Sequence, residues 1–178
     1  MPSEPIFDLS SIDLDQTMAD RAGVARCIPH RGDMLQIDRI IWHDEPFDHG
    51  VAVKHVREDE FWVPGHIPGN PLLPGVLMLE AGAQLASWLY YSRCAEGWFA
   101  GFTRIENSRF RGHVVPGNDL MLLCKCLKFT PKRFVCDIQG LVDGNIVFDS
   151  TITGMAFPKL GTVEIRPLDE VAPRALQR

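Results

Sequence analysis

Apolar positions change their spacing along this chain, and the change divides it into elements. From Gly75 the residues are almost wholly apolar and helix-compatible through Tyr91, which predicts one long buried helix. On either side, shorter apolar runs alternate with polar residues and end at turn formers, as half-buried strands do. Leu35 to Trp42 and Gly50 to Val56 read as strands before the helix. After it come Trp98 to Ile105, Ser108 to Val115, Leu120 to Phe129, Phe134 to Val142 and Ile146 to Phe157. Their separators are Pro116-Gly117-Asn118-Asp119, Thr130-Pro131-Lys132 and Asp143-Gly144-Asn145. Asp143-Gly144 between two apolar runs is a hairpin signal. Residues 1–22 read as a polar lead-in with a short helix around Leu14 to Ala22. Ile28-Pro29-His30-Arg31 then reads as a turn, and the stretch from Pro158 onward as an exposed tail.

A helix this apolar needs cover on most sides. An antiparallel sheet curled around it covers one face, and a second subunit can meet the other. The expectation is an α+β fold, dimeric, with a curled antiparallel sheet wrapped around one long central helix. Residues 27–157 form the domain, 1–26 an N-terminal extension and 158–178 a tail.

Composition narrows the function classes. At 178 residues the chain fits one domain with a sizeable core. A net charge of −5 argues against nucleic acid, which needs a concentrated basic surface. Met1 to Asp20 has no basic residue, unlike a secretory signal. Leu72 to Tyr91 is a poor membrane span because it holds Glu80 and Gln84. The five cysteines are odd in number, scattered and without a CxxC pair, so they read as reduced cysteines of a cytoplasmic protein. His43, His49, His55 and His113 are equally scattered and read as surface or structural residues, with no metal or cofactor expected.

The candidate chemistry lies in the segment from Pro64 to Ala81. His66 and Glu80 stand fourteen residues apart around glycines, prolines and aliphatics. The prolines impose an extended path up to Pro74. Glu80 is the only charged side chain in the helix that follows, so it must be neutral or partnered if buried.

Three blocks of residues stand out along the chain. The first is Pro29-His30-Arg31 with Ile37-Asp38-Arg39-Ile40. The second runs Gly65-His66-Ile67-Pro68-Gly69-Asn70-Pro71-Leu72-Leu73-Pro74-Gly75-Val76 and on to Glu80-Ala81-Gly82-Ala83-Gln84. The third is Arg109-Phe110-Arg111 with Val114-Val115-Pro116-Gly117-Asn118. In order and spacing these blocks resemble the 3-hydroxyacyl-[acyl-carrier-protein] dehydratases of fatty-acid synthesis. The resemblance implies a hotdog fold, catalytic roles for His66 and Glu80, and paired active sites at a homodimer interface to which each subunit gives one of the two. Glutamate at position 80 looks like the broadly acting branch rather than the one that also isomerises the double bond. Trp62-Val63, Ile67 and Gly32-Asp33 depart from the family's usual aromatics and proline, which touches the acyl tunnel more than the chemistry.

Dehydration to a trans-2-enoyl thioester needs a base at C2, a donor to the thioester oxygen and an acid for the hydroxyl. His66 suits the first, the N–H groups of Gly75 and Val76 at the helix start suit the second, and Glu80 kept protonated by burial suits the third. Gln84, one turn beyond Glu80, either orients it or packs the helix. Tunnel wall candidates are Trp62, Val63, Ile67, Leu72, Leu73 and Phe110. Arg109 and Arg111 are either a docking site for acidic acyl carrier protein or a solvated strand face. His30 and Arg31 read as a structural turn, with a place near the site as the alternative. Dimers could assemble further into a trimer of dimers. Two other readings keep the fold: an acyl thioesterase, and a non-catalytic acyl-binding subunit.

Overall fold

The computed structural model describes residues 4–94 and 98–158, and the side chains of Trp98 and Pro158 are outside that description. In chain order the elements are β1 (Ala19–Asp20), α1 (Arg21–Cys27), a 3-10 turn (Gly32–Met34), β2 (Arg39–His43), β3 (His49–His55), α2 (Gly75–Arg93), β4 (Trp98–Phe110), β5 (Asp119–Thr130), β6 (Arg133–Val142) and β7 (Asn145–Pro158). The strands form one seven-stranded sheet in the order β1-β2-β3-β5-β6-β7-β4, every pair antiparallel. Bulges in β2, β4 and β5, where the register shifts, let the sheet bend. α2 lies along one face, against β3, β5 and β6.

α2 starts where the prolines stop. Pro74 is its N-cap, without a side-chain cap, and the helix runs to Arg93, two residues past the expected end. Arg93 pairs with Asp48 at 2.6 Å and sits in the last turn, where a cation suits the helix dipole. Most of the helix between Met78 and Tyr90 is buried. It shares the main core with Leu120, Leu122 and Cys124 of β5, Phe134, Cys136 and Ile138 of β6 and Phe148 and Ile152 of β7. No helix among the described residues is long and apolar enough to cross a membrane.

The Asp143-Gly144 signal corresponds to a two-residue hairpin. Both residues have positive φ, 49° and 75°, and Val142 pairs with Asn145 across it. Three expectations need correction. The first helix spans Arg21–Cys27, not Leu14 to Ala22, because the Asp20 carboxylate accepts from Gly23 N–H at 2.7 Å and fixes the start there. The two strands expected over 98–115 are one, ending at Phe110, with Asn107 at φ 54° within a bulged stretch. Of the first expected strand only Arg39 to Trp42 joins the ladder, in a strand that runs on to His43, while Leu35, Gln36 and Ile37 run buried ahead of it.

The N-terminal stretch is not a detached lead-in. Ile6, Phe7, Leu9, Ile12 and Leu14 pack on a second apolar cluster formed by Ile41, Val51, Val53, Leu123 and Leu141. Ile6 N–H also donates to Gln139 Oε1 at 3.1 Å. The tail expected from residue 159 lies outside the described residues.

Candidate active site

The loop that carries His66 hangs from a buried ion pair. Lys54, on the central strand β3, is 1% exposed, and Glu60 is 8% exposed. Lys54 Nζ donates to both Glu60 oxygens at 2.9 Å. The same carboxylate accepts from Arg57 N–H and Trp62 Nε1, each at 2.9 Å. Trp62 is thereby pinned, and its carbonyl accepts from His66 N–H at 2.8 Å and Gly65 N–H at 3.1 Å. Neither Lys54 nor Glu60 stands out in the sequence. The one available signal is a lysine inside the apolar run Val51-Ala52-Val53-Lys54, which demands a partner if the strand is central.

His66 is half-buried, and its Nδ1 lies 2.7 Å from the carbonyl oxygen of Leu72. A carbonyl only accepts, so Nδ1 carries the hydrogen, and in the neutral ring the lone pair is on Nε2. The next residue, Ile67, is exposed and has φ 59°, a left-handed conformation costly for a β-branched side chain. Asn70 N–H donates to the Ile67 carbonyl at 2.9 Å and closes the turn. Leu73 N–H donates to Val114 O at 2.8 Å, which ties the loop down just before the helix.

At the start of α2, the N–H groups of Leu77 and Met78 donate to the Pro74 carbonyl. Those of Gly75 and Val76 have no acceptor among the described residues, as first-turn donors of a helix commonly lack one. The Phe110 ring covers Gly75 so closely that an added Cβ would lie 2.8 Å from it.

One turn further, Glu80 is largely covered, with its side chain 16% exposed. Gln84 Nε2 donates to its Oε1 at 2.8 Å. Gln84 is itself locked: its Oε1 accepts from Gln36 N–H at 2.9 Å, and Nε2 also donates to Met34 O at 2.6 Å. His30 Nε2 lies 3.2 Å from the same Glu80 oxygen. The turn reading of His30 therefore missed a partner of the acid. Burial pushes the Glu80 carboxyl up, but the hydrogen bonds from His30 and Gln84, and the charge of His30, outweigh it and hold the group below its usual range. The expectation of an acid kept neutral by burial alone is corrected accordingly.

The structure thus brings Glu80, Gln84 and His30 together, while His66 has its own anchor and no hydrogen bond to Glu80 within the chain. Among the expected tunnel residues, Trp62 and Leu73 are buried, Val63 and Leu72 half-buried, and Ile67 and Phe110 exposed. Arg109 is exposed, whereas Arg111 donates to both oxygens of Asp149 at 2.7 and 2.8 Å. All five cysteines are free thiols.

Comparison with known proteins shows the family of the chain. The family profile of the FabA-like domain matches residues 28–151. The chain is 35% identical over 143 residues to the 3-hydroxyacyl-[acyl-carrier-protein] dehydratase FabZ of Granulibacter bethesdensis, covering 79% of this chain and 84% of that one. It is 35% identical over 145 residues to the enzyme of the same name from Nitratidesulfovibrio vulgaris, covering 80% and 94%. Among solved structures, the dehydratase heterocomplex ApeI:P from Xenorhabdus doucetiae aligns with a TM-score of 0.67 at 17% identity, over 76% of this chain and 91% of that one. That last likeness is one of fold, the hotdog arrangement.

Proposed function

The chain belongs to the FabA-like family, and from that premise we propose that it removes water from a 3-hydroxyacyl thioester on acyl carrier protein, leaving the trans-2-enoyl thioester. It is a hydro-lyase of fatty-acid biosynthesis. The observation that carries this reading is the 35% identity, across 79% and 80% of the chain, to two enzymes named for that reaction.

In this reading His66 Nε2 takes the proton from C2. The electrons of that C–H bond form the C2–C3 double bond, the C3–O bond breaks, and the departing hydroxyl leaves as water with a proton from Glu80. The Leu72 carbonyl supports His66 as base, because it holds the tautomer whose lone pair faces outward from the loop. The unpartnered N–H groups of Gly75 and Val76 suit the thioester oxygen as negative charge builds on it. His66 and Glu80 serve one site by meeting across a homodimer. The separate anchoring of the two residues supports this, as does the free edge of β4, which presents Phe102, Ile105 and Phe110 to solvent. The acyl chain runs past Ile67 and Phe110. Carrier docking falls to Arg109 more than to Arg111, whose charge is matched by Asp149. The free thiols fit a reducing cytoplasm.

The test offers purified protein 3-hydroxyacyl carrier substrates and follows the ultraviolet absorbance of the conjugated enoyl thioester. His66→Ala and Glu80→Gln should each lower kcat/KM by about a hundredfold or more. Near-normal turnover in both variants removes the residue assignment. Release of free thiol without enoyl product makes the protein a thioesterase instead.

A further inference from the structure

Glu80 is held on one side only. Its Oε1 takes the amide of Gln84 at 2.8 Å and faces His30 Nε2 at 3.2 Å. Its Oε2 accepts no hydrogen bond among the described residues, so Oε2 is the oxygen left for a substrate hydroxyl. His30 is three-quarters covered, and its Nδ1 is buried without a hydrogen-bond partner. A buried imidazole with one nitrogen unpaired and the other against a carboxylate can hold its mobile proton in only one useful place, the shared contact.

We propose that His30 is a positioning residue for the acid step: its Nε2–H holds the Glu80 carboxyl through Oε1, so that the proton delivered to the departing hydroxyl rests on Oε2. This inference rests on the dehydratase reading above. Before the step the carboxyl is protonated at Oε2, His30 is neutral with its hydrogen on Nε2, and the pair carries no net charge. As the C3–O bond breaks, the Oε2–H bond breaks with it and its proton goes to the leaving oxygen. The pair is left with one negative charge, and the carboxylate is stabilised by the unchanged Nε2–H of His30 and the amide of Gln84. His30 is the charged neighbour acting on Glu80 within the chain, and Gln84 is the neutral one from α2. Arg31, next along, turns its guanidinium to the carbonyls of Ile28 and His30. In the proposed dimer, the partner's base also faces the site.

Two variants of the full chain test this. His30→Leu removes both contact and proton, and His30→Gln keeps a donor but cannot carry the proton. A carboxyl–imidazole pair keeps its proton to higher pH than a carboxyl alone. The alkaline limb of the kcat–pH profile should therefore move to lower pH in both variants. His30→Leu should also lower kcat about tenfold or more, with KM changing less than about twofold. Independently of turnover, the carbon-13 carboxyl resonance of Glu80, identified by its absence in Glu80→Gln, should titrate at higher pH in His30→Leu, because the group that holds it down is gone. An alkaline limb at the wild-type position in either variant, or a Glu80 midpoint at the wild-type position in His30→Leu, overturns the proposal. If His30→Leu does not fold, His30→Gln decides alone. Wild-type protein that forms no enoyl product sinks the dehydratase reading instead, while the carboxyl titration still reports on the pair.

Discussion

Lys54 and Glu60 meet where neither side chain reaches water to any extent. Burial pushes the Lys54 ammonium down against the pull of Glu60. Burial likewise raises the Glu60 carboxyl, but hydrogen bonds from Lys54, Arg57 N–H and Trp62 together bring it below its usual range. Replacing one member strands the other's charge, so Lys54→Met should cost about 3–5 kcal/mol in urea unfolding and loosen the His66 loop with it. The pH dependence has a definite sign. Since the folded carboxyl sits below its unfolded value, its stabilisation is full above the ordinary carboxylate range and is lost as pH falls through the folded value. Glu60→Gln should flatten that acid limb of the stability–pH curve. At this scale the sequence was uneven. The contact of Gln84 with Glu80 was legible because the two stand one turn apart on a helix. His30 was not, because 50 residues separate it from Glu80 and only the fold joins them. Lys54 and Glu60 lie on a strand and in a loop whose spacing gives no sign that the two should meet.

The helix that bears Glu80 rides close to the sheet at Gly82. A Cβ there would lie 2.7 Å from Ile138 Cδ1 and 3.2 Å from its Cβ. Gly82→Ala asks the flexible tip of Ile138 to move and its Cβ to give by a few tenths of an ångström. Gly82→Val forces the helix off β6 and should cost about 1–3 kcal/mol, seen as a lower thermal midpoint. Because Glu80 is two residues away, kcat should fall in the same variant while the unfolding transition stays cooperative. At the element scale, the apolar run was a sound guide to α2, and the Asp143-Gly144 turn to the last hairpin. Failures arose where local chemistry mimicked a boundary. Glu106-Asn107-Ser108 looks like a break between strands, yet a single left-handed residue and a bulge carry β4 through it. The run Leu14 to Ala22 has helix-compatible residues, but its Ala19 and Asp20 are paired with Ile40 and Arg39.

For the whole molecule, the two sheet edges differ. β1 ends the sheet with two residues, whereas β4 ends it with thirteen. A long edge with exposed Phe102 and Ile105 invites a second copy. Ile105→Glu should shift sedimentation from dimer to monomer and remove dehydration along with it, since each proposed site draws on both copies. A monomeric variant with full activity would exclude the shared site. The wrapped-helix architecture could be anticipated because a helix buried all round needs such cover. The packing of the N-terminal stretch could not, since Ile6, Phe7, Leu9, Ile12 and Leu14 follow no helical or strand period and are matched only by the shape of the surface they cover.

That covering has a consequence for where the working protein begins. The family profile starts at residue 28, downstream of Ile6, Phe7, Leu9, Ile12 and Leu14, which lie over Ile41, Val51 and Leu123. Trimmed to that boundary, the chain would keep its central helix but bare a greasy plate on its back, and it would clump. Residues 6–14 are in this sense a built-in solubiliser, as necessary to the protein's life in water as the curled sheet is to its core.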